Sequence, residues 1–425
     1  MAAVLAVLAL TLHLSLARQF ARAAVFDKVN VLFHADISTR LQAISGGKHL
    51  GIKHPNLMPY FTPPIMLAAK VIARVHPPSG PEAELRRQLG MLVVPIASAL
   101  KTALVFVLFL RLGFSLAAAI VATLLEMTSF STLIFGSIPE SYGLTAFALA
   151  LAFLLAATPG AQLTWRRIAP WMAVGVFATG VTVINIVFVA FLLWAAAWYT
   201  TPLRLAATIR LAVIVIAIFG VTGVSAYVLD WLLVPKTVSA GDDGTVESTL
   251  ERRVEQPFEN ELGRHLQPDP VRRLRHFPTS VANAFAPCAV ERVPVKAMGR
   301  GRTQLGYSLE NSPSIFGLGD PLGTLVLPLL VAGAVCAFAT PATRPVATAS
   351  VGILAFSWVL SVWGSEAQLY SQDWQLASVV LLAGVMRPAR FGTAMTVVLA
   401  VLTVVFAVNN LVILRDMLAV LAAAG

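Results

Sequence analysis

Asp36 stands in the run VLFHADISTR, shortly after the first apolar segment. A carboxylate at a membrane surface can act as a general base and take a proton from an acceptor hydroxyl. A loop Asp is more often simply solvated, so its type alone decides nothing. Arg40 follows four residues later, on the same face if the stretch is helical. That spacing suits an i,i+4 salt bridge, or an arginine held for a phosphate.

GGKHLGIKHPNLMPYF gathers Lys48, His49, Lys53 and His54. Lysine and protonated histidine both donate to oxyanions, so phosphate recognition is one reading. A basic loop resting on lipid headgroups is the other. Two histidines at this spacing, with no carboxylate nearby, do not make a zinc site. Glu140 lies in FGSIPESYG, between two apolar segments. It is either a helix-start carboxylate favoured by the helix dipole or a second acid beside Asp36.

Glu366, Tyr370, Ser371 and Asp373 share the polar loop SEAQLYSQDW. An interfacial aromatic belt accounts for Tyr370 and Trp374. It does not account for Glu366, which has no basic neighbour within the loop. Lys101 and Glu126 each fall near the middle of an apolar segment. An unpaired charge at that depth costs roughly 3 kcal/mol or more. Consecutive antiparallel helices bring the two to similar depth. The expectation is a structural ion pair, with a proton or ion pathway as the other reading. The stretch 271–302 carries Arg272, Arg273, Arg275, Arg292, Lys296, Arg300 and Arg302 against Glu291. It reads as a basic surface or as a phosphate or headgroup site.

Only certain elements can position such groups. Hydrophobic residues make up 57% of the 425 residues and charged ones 12%, against about 25% charged in a soluble domain. Mean hydropathy is +0.79. A spanning helix needs roughly 20 apolar residues, and the chain offers many such windows. The expected fold is an all-α polytopic membrane protein with about eleven transmembrane helices. The apolar segments are 2–17, 91–110, 114–135, 142–157, 168–180, 181–198, 211–232, 323–339, 346–363, 374–386 and 394–414. The stretch 168–198 is too long for one untilted span, and Gly175 and Gly180 offer places for a break. The opening MAAVLAVLALTLHLSLARQF reads as a first span rather than a removed signal. The segment 59–75 is apolar but holds Pro63, Pro64, Lys70 and Arg74, which suits an interfacial amphipathic helix.

The organisation expected is an N-terminal transmembrane module over 1–235, with a long external loop at 18–90. An external loop region follows over 236–322, then C-terminal transmembrane helices over 323–425. Net charge is +10 and pI about 10.1. The basic residues lie mostly between apolar segments, where topology and anionic lipid explain them without nucleic acid. Short loops containing Arg111, Arg166, Arg167, Arg204, Arg210, Arg344, Arg387 and Arg390 fall on one side, assigned to the cytoplasm. The loops 18–90, 136–141, 233–322 and 364–373 then lie together outside. Arg18, Arg22, Lys28, Arg86 and Arg87 run against this bias, as long translocated loops allow. Cys288 and Cys336 indicate neither a disulfide framework nor a metal–thiolate site. The chain lacks a P-loop, GxGxxG, HExxH and GxSxG.

FHADIST, KHPNL, SIPESYG and EAQLYSQDW, in this order and on one expected side, resemble the polytopic glycosyltransferases of the GT-C fold. That class includes protein mannosyltransferases, the aminoarabinose transferase acting on lipid A, and oligosaccharyltransferases. The resemblance implies an inverting transfer from a polyprenyl-phosphate or -diphosphate sugar to a lipid or cell-envelope acceptor. It implies catalysis at the external, periplasmic face of a bacterial inner membrane. Asp36 maps to the usual base and Glu140 to the second acid. Arg40, Lys53, His54, Glu366, Tyr370 and Ser371 map to substrate binding. Many members carry two adjacent acids in the first loop, whereas this chain has one, so use of a divalent ion such as Mg or Mn stays open. A secondary transporter or lipid flippase is the alternative from another class, and an O-antigen-type ligase or polymerase is a third.

Overall fold

The computed structural model describes residues 1–28, 31–46, 54–76, 80–158, 165–200, 204–233, 269–296, 303–309, 324–362 and 367–423. The fold is all-α apart from one hairpin. In chain order the first helices are α1 (Ala2–Arg22), α2 (Ile37–Ile44), α3 (Leu57–Val75), α4 (Glu82–Arg111), α5 (Leu116–Thr128), α6 (Phe130–Phe135) and α7 (Ser141–Ala156). Next come α8 (Trp165–Val181), α9 (Asn185–Thr200), α10 (Arg204–Leu233) and α11 (Pro270–Phe285). The antiparallel hairpin β1 (Glu291–Lys296) and β2 (Thr303–Ser308) follows, then α12 (Val326–Ala339), α13 (Arg344–Leu360), α14 (Ser371–Ala383) and α15 (Gly392–Ala423).

Over the described residues, every apolar segment named above is mainly helical. Four helices among the described residues are long and apolar enough to cross a membrane: α1, α4, α10 over Thr208–Val228, and α15. The other apolar helices are shorter, so helix length supports four candidate spans rather than about eleven. The stretch 168–198 does break, at 182–184. There the Asn185 side chain donates to Ala178 O at 2.9 Å and Thr145 Oγ1 at 3.0 Å, capping the ends with a polar group. The segment 114–135 breaks too. Ser129 turns to an extended ψ of 144°, and its hydroxyl donates to Glu126 O at 2.8 Å.

Outward faces are apolar. Val4 and Val7 on α1, Val213 and Phe219 on α10, and Val401, Val404 and Val408 on α15 are all exposed. Contiguous exposed apolar stripes on long helices suit a hydrocarbon surrounding, since in water they would be sticky. At the centre lies α14, all of whose residues are buried. A short helix is accommodated this way, walled in by other helices. It packs on α12, α13, α7 and α5. Backbones approach closely there: a Cβ added at Gly333 of α12 would sit 2.1 Å from Leu381 O of α14. Only glycine permits that contact, the small-residue packing expected between helices in lipid.

Candidate active site

Three segments converge at one end of the bundle. The first is the stretch before α2. Phe33 N donates to Tyr307 O at 2.9 Å and Tyr307 N donates to Val31 O at 2.9 Å, so this stretch pairs with β2. Phe33 and His34 both adopt the left-handed conformation, with φ of 51° and 59°. Non-glycine residues pay for that geometry, and it persists only where surroundings impose it. Here Phe33 is buried against Phe130, their ring centroids 5.9 Å apart. The kink delivers Asp36 to the N-cap position of α2. Its side chain makes no capping bond and is 42% exposed, so the carboxylate faces outward rather than serving the helix.

The second segment is the loop from Gly136 to Glu140, at the start of α7. It is packed without slack: a Cβ at Gly136 would meet His13 and Thr132 O at 2.6 Å, and one at Gly143 would meet Phe135 O at 2.5 Å. This fixes Glu140, whose side chain is 1% exposed. Arg40 reaches across from α2. Its Nε donates to Glu140 Oε1 at 3.2 Å, and its Nη2 lies 3.6 Å from Asp36 Oδ2. The i,i+4 pair read from the sequence forms, and the same guanidinium also holds the second acid. Burial pushes the Glu140 carboxyl above its ordinary value, against the opposing pull of Arg40. Burial alone would lower Arg40; the negative charges of Glu140 and Asp36 reverse this and raise it.

The third segment is the start of α14. Tyr370 packs edge-on against Tyr142, centroids 5.8 Å apart at 87°, and Tyr142 in turn packs against Phe135. Burial, with the charges of Asp373 and Asp36, pushes the Tyr370 phenol up to about 12. At neutral pH it is therefore a hydroxyl donor.

Beneath this cluster runs a sealed polar network. Lys101 Nζ donates to Glu126 Oε1 at 2.5 Å, with both side chains 1% exposed. This is the pair the sequence placed at equal depth. Thr132 Oγ1 also donates to Glu126 Oε1, at 2.9 Å. Lys101 lies 3.5 Å from Gln372 Oε1, and Gln372 Nε2 donates to Ser131 Oγ at 2.6 Å. Ser131 and Ser371 share a hydrogen bond. Ser371 thus belongs to the network that ties α14 to α6, not to the open cluster.

Of the residues singled out in the sequence, Asp36, Arg40, Glu140 and Tyr370 come together. His54 is buried at another anchor, its Nδ1 bonded to Val181 O at 2.8 Å, at the α8–α9 break. Lys53 and Glu366 lie outside the described residues. Tyr142, Gln372 and Asp373 gain positions for which the sequence reading supplied no role. The aromatic in SIPESYG was the only signal for Tyr142. A divalent ion does not fit between the two carboxylates as arranged, because the Arg40 guanidinium occupies the bridging position. Among the described residues, no three His, Cys, Asp or Glu gather to hold a metal ion. In this arrangement the exposed carboxylate can accept a proton while the guanidinium and the phenol hydroxyl donate hydrogen bonds to an anion. No protein-family model and no curated protein matches this chain.

Proposed function

We propose that the chain is a multi-pass membrane glycosyltransferase. It moves a sugar from a polyprenyl-phosphate or -diphosphate carrier to a lipid or cell-envelope acceptor. In this reading the shorter apolar helices also span, giving about eleven spans. The Asp36 cluster faces the periplasmic side of a bacterial inner membrane. The observation that carries the reading is the convergence of Asp36, Arg40 and Glu140 from segments far apart in the chain.

Asp36 takes the proton of the acceptor hydroxyl. The hydroxyl oxygen then attacks the anomeric carbon as the bond from that carbon to the phosphate oxygen breaks, through an oxocarbenium-like state. The electron pair of that bond leaves with the phosphate. Arg40 holds Asp36 in position and, with the Tyr370 hydroxyl and the arginines of the first turns of α11, balances the departing charge. Glu140 holds Arg40 in place. A transporter reading gains less support, because the deep charges Lys101 and Glu126 are paired with each other and sealed from solvent.

The test is transfer by the purified, reconstituted protein from a panel of polyprenyl-phosphate sugars. Wild type is compared with Asp36→Asn after thermal melts show both fold equally. Wild type should consume one donor, and Asp36→Asn should do so roughly 100-fold more slowly or worse. Equal consumption by both would refute Asp36 as the base.

A further inference from the structure

His13 is fully buried on α1, a helix long and apolar enough to cross a membrane. An ionisable side chain at such a place is costly and marks a specific partner or a function. Its ring lies against the loop that ends in Glu140. Nδ1 is 3.0 Å from Ser137 Oγ. A Cβ added at Gly136 would sit 2.6 Å from His13 Cε1 and 2.9 Å from Nδ1.

Ser137 fixes the direction of the hydrogen bond. A serine hydroxyl has one proton to give, and here it goes to Leu133 O at 2.7 Å, in the last turn of α6. The oxygen can then only accept from the histidine, so the imidazole carries its proton on Nδ1. Nε2 is buried without a partner, and a second proton there would place a bare charge out of reach of water. His13 is therefore a neutral N–H donor to the loop.

Every residue from Gly136 to Glu140 is buried, and Glu140 N donates to Ile138 O at 2.8 Å, which closes a tight turn. Arg40 holds that turn from the α2 side through Glu140 at 3.2 Å, and His13 holds it from α1 through Ser137. We infer that His13 is a positioning residue: its Nδ1–H, acting through Ser137, fixes the 136–140 loop and so sets where Glu140 meets Arg40. The consequence for transfer rests on the glycosyltransferase reading; the placement of Glu140 does not.

The test uses the full chain in lipid nanodiscs. His13→Leu removes the donor, His13→Asn keeps an N–H at similar reach, and Ser137→Ala removes the acceptor. Each is made with and without Glu140→Gln, and melting temperature is followed from about pH 4 to 8. The difference within each pair isolates the slope due to Glu140 and cancels the titration of His13 itself. The groups facing Glu140, namely Arg40, Asp36 and Tyr142, are kept in every background. His13→Leu and Ser137→Ala should each lose at least about half of the Glu140 slope, because a loosened loop lets water reach the carboxyl. His13→Asn should keep most of it. In the donor-consumption assay, kcat should fall about tenfold in the first two variants with KM within about twofold, and recover in His13→Asn. If His13→Leu fails to fold, Ser137→Ala carries the comparison. A full Glu140 slope in Ser137→Ala and His13→Leu overturns the inference, as does a wild-type slope that Glu140→Gln leaves unchanged. Equal losses in His13→Leu and His13→Asn reduce His13 to a space-filling residue and overturn it too. Unchanged kcat in variants that lose the slope overturns the role in transfer. A wild type that consumes no donor removes the transferase reading, while the slopes still decide the placement of Glu140.

Discussion

Replacing Lys101 by Met removes the cation from a pair in which both partners are sealed from solvent. The partner left behind decides the magnitude. Breaking a buried ion pair from one side costs about 3–5 kcal/mol, because the remaining charge has neither water nor counter-ion. Glu126 would retain the Thr132 hydroxyl at 2.9 Å on Oε1, while Oε2 already lacks a partner. One surviving bond to a charged group is worth about 1.5–3 kcal/mol and keeps part of the stabilisation of the stranded carboxylate. The expected loss is therefore about 3 kcal/mol, near the low end of that range. Lys101→Met with Glu126→Leu removes both charges and should recover to within about 1 kcal/mol of wild type, since apolar replacement of a whole buried pair is often neutral. The assay is reversible unfolding in mixed micelles by sodium dodecyl sulfate titration, read by circular dichroism for the four members of the double-mutant cycle. A single mutant that loses less than about 1 kcal/mol, or losses that simply add in the double mutant, would refute the pair as the reason these charges are tolerated.

Stability should respond to pH through Glu140. Its folded carboxyl lies above the ordinary 4.5, so the folded state holds a proton that the unfolded chain has already released. Stability is then greatest below 4.5 and falls as pH rises through the folded value. Glu140→Gln should flatten that slope and Arg40→Met should steepen it, as read by melting temperature between pH 4 and 8; equal slopes in all three proteins would contradict the assignment. Gly333→Ala should sharply reduce the yield of folded protein, because the new methyl would meet Leu381 O at 2.1 Å and α12 must move off α14. Normal yield and melting temperature for that variant would show that the two helices are not held at this distance.

The helices were legible because each needs only a local run of apolar residues. Lys101 and Glu126 were legible as a pair because charge in an apolar run demands a partner, and consecutive helices fix depth. The Asp36–Arg40 spacing carried its own geometry, confirmed at 3.6 Å. Arg40's second bond, to Glu140, depends on how the α4–α7 contact sets the loop, and no spacing encodes that. His54 looked like a phosphate ligand from its lysine neighbours. The HPN segment packs on the α8–α9 break, where the His54 Nδ1 is bonded to a backbone carbonyl. The pairing of Val31 and Phe33 with Tyr307 was invisible, because a short bridge between distant segments leaves no periodic trace. Asp373 was read with its polar loop, yet it is buried within α14.

A ribosome releases Val31 long before Tyr307, and the backbone bonds that kink the chain ahead of Asp36 need both. Tyr307 in turn leans on the last helix, its hydroxyl donating to Met417 O, 110 residues further along. Translation at ~5–20 residues per second takes roughly 6–22 s to cover that interval. The early helices are thus made before the segments that brace the kink ahead of Asp36. A chain cut short before α15 would keep its first helices and the Arg40–Glu140 contact but lose the helix on which Tyr307, and through it the kink ahead of Asp36, leans.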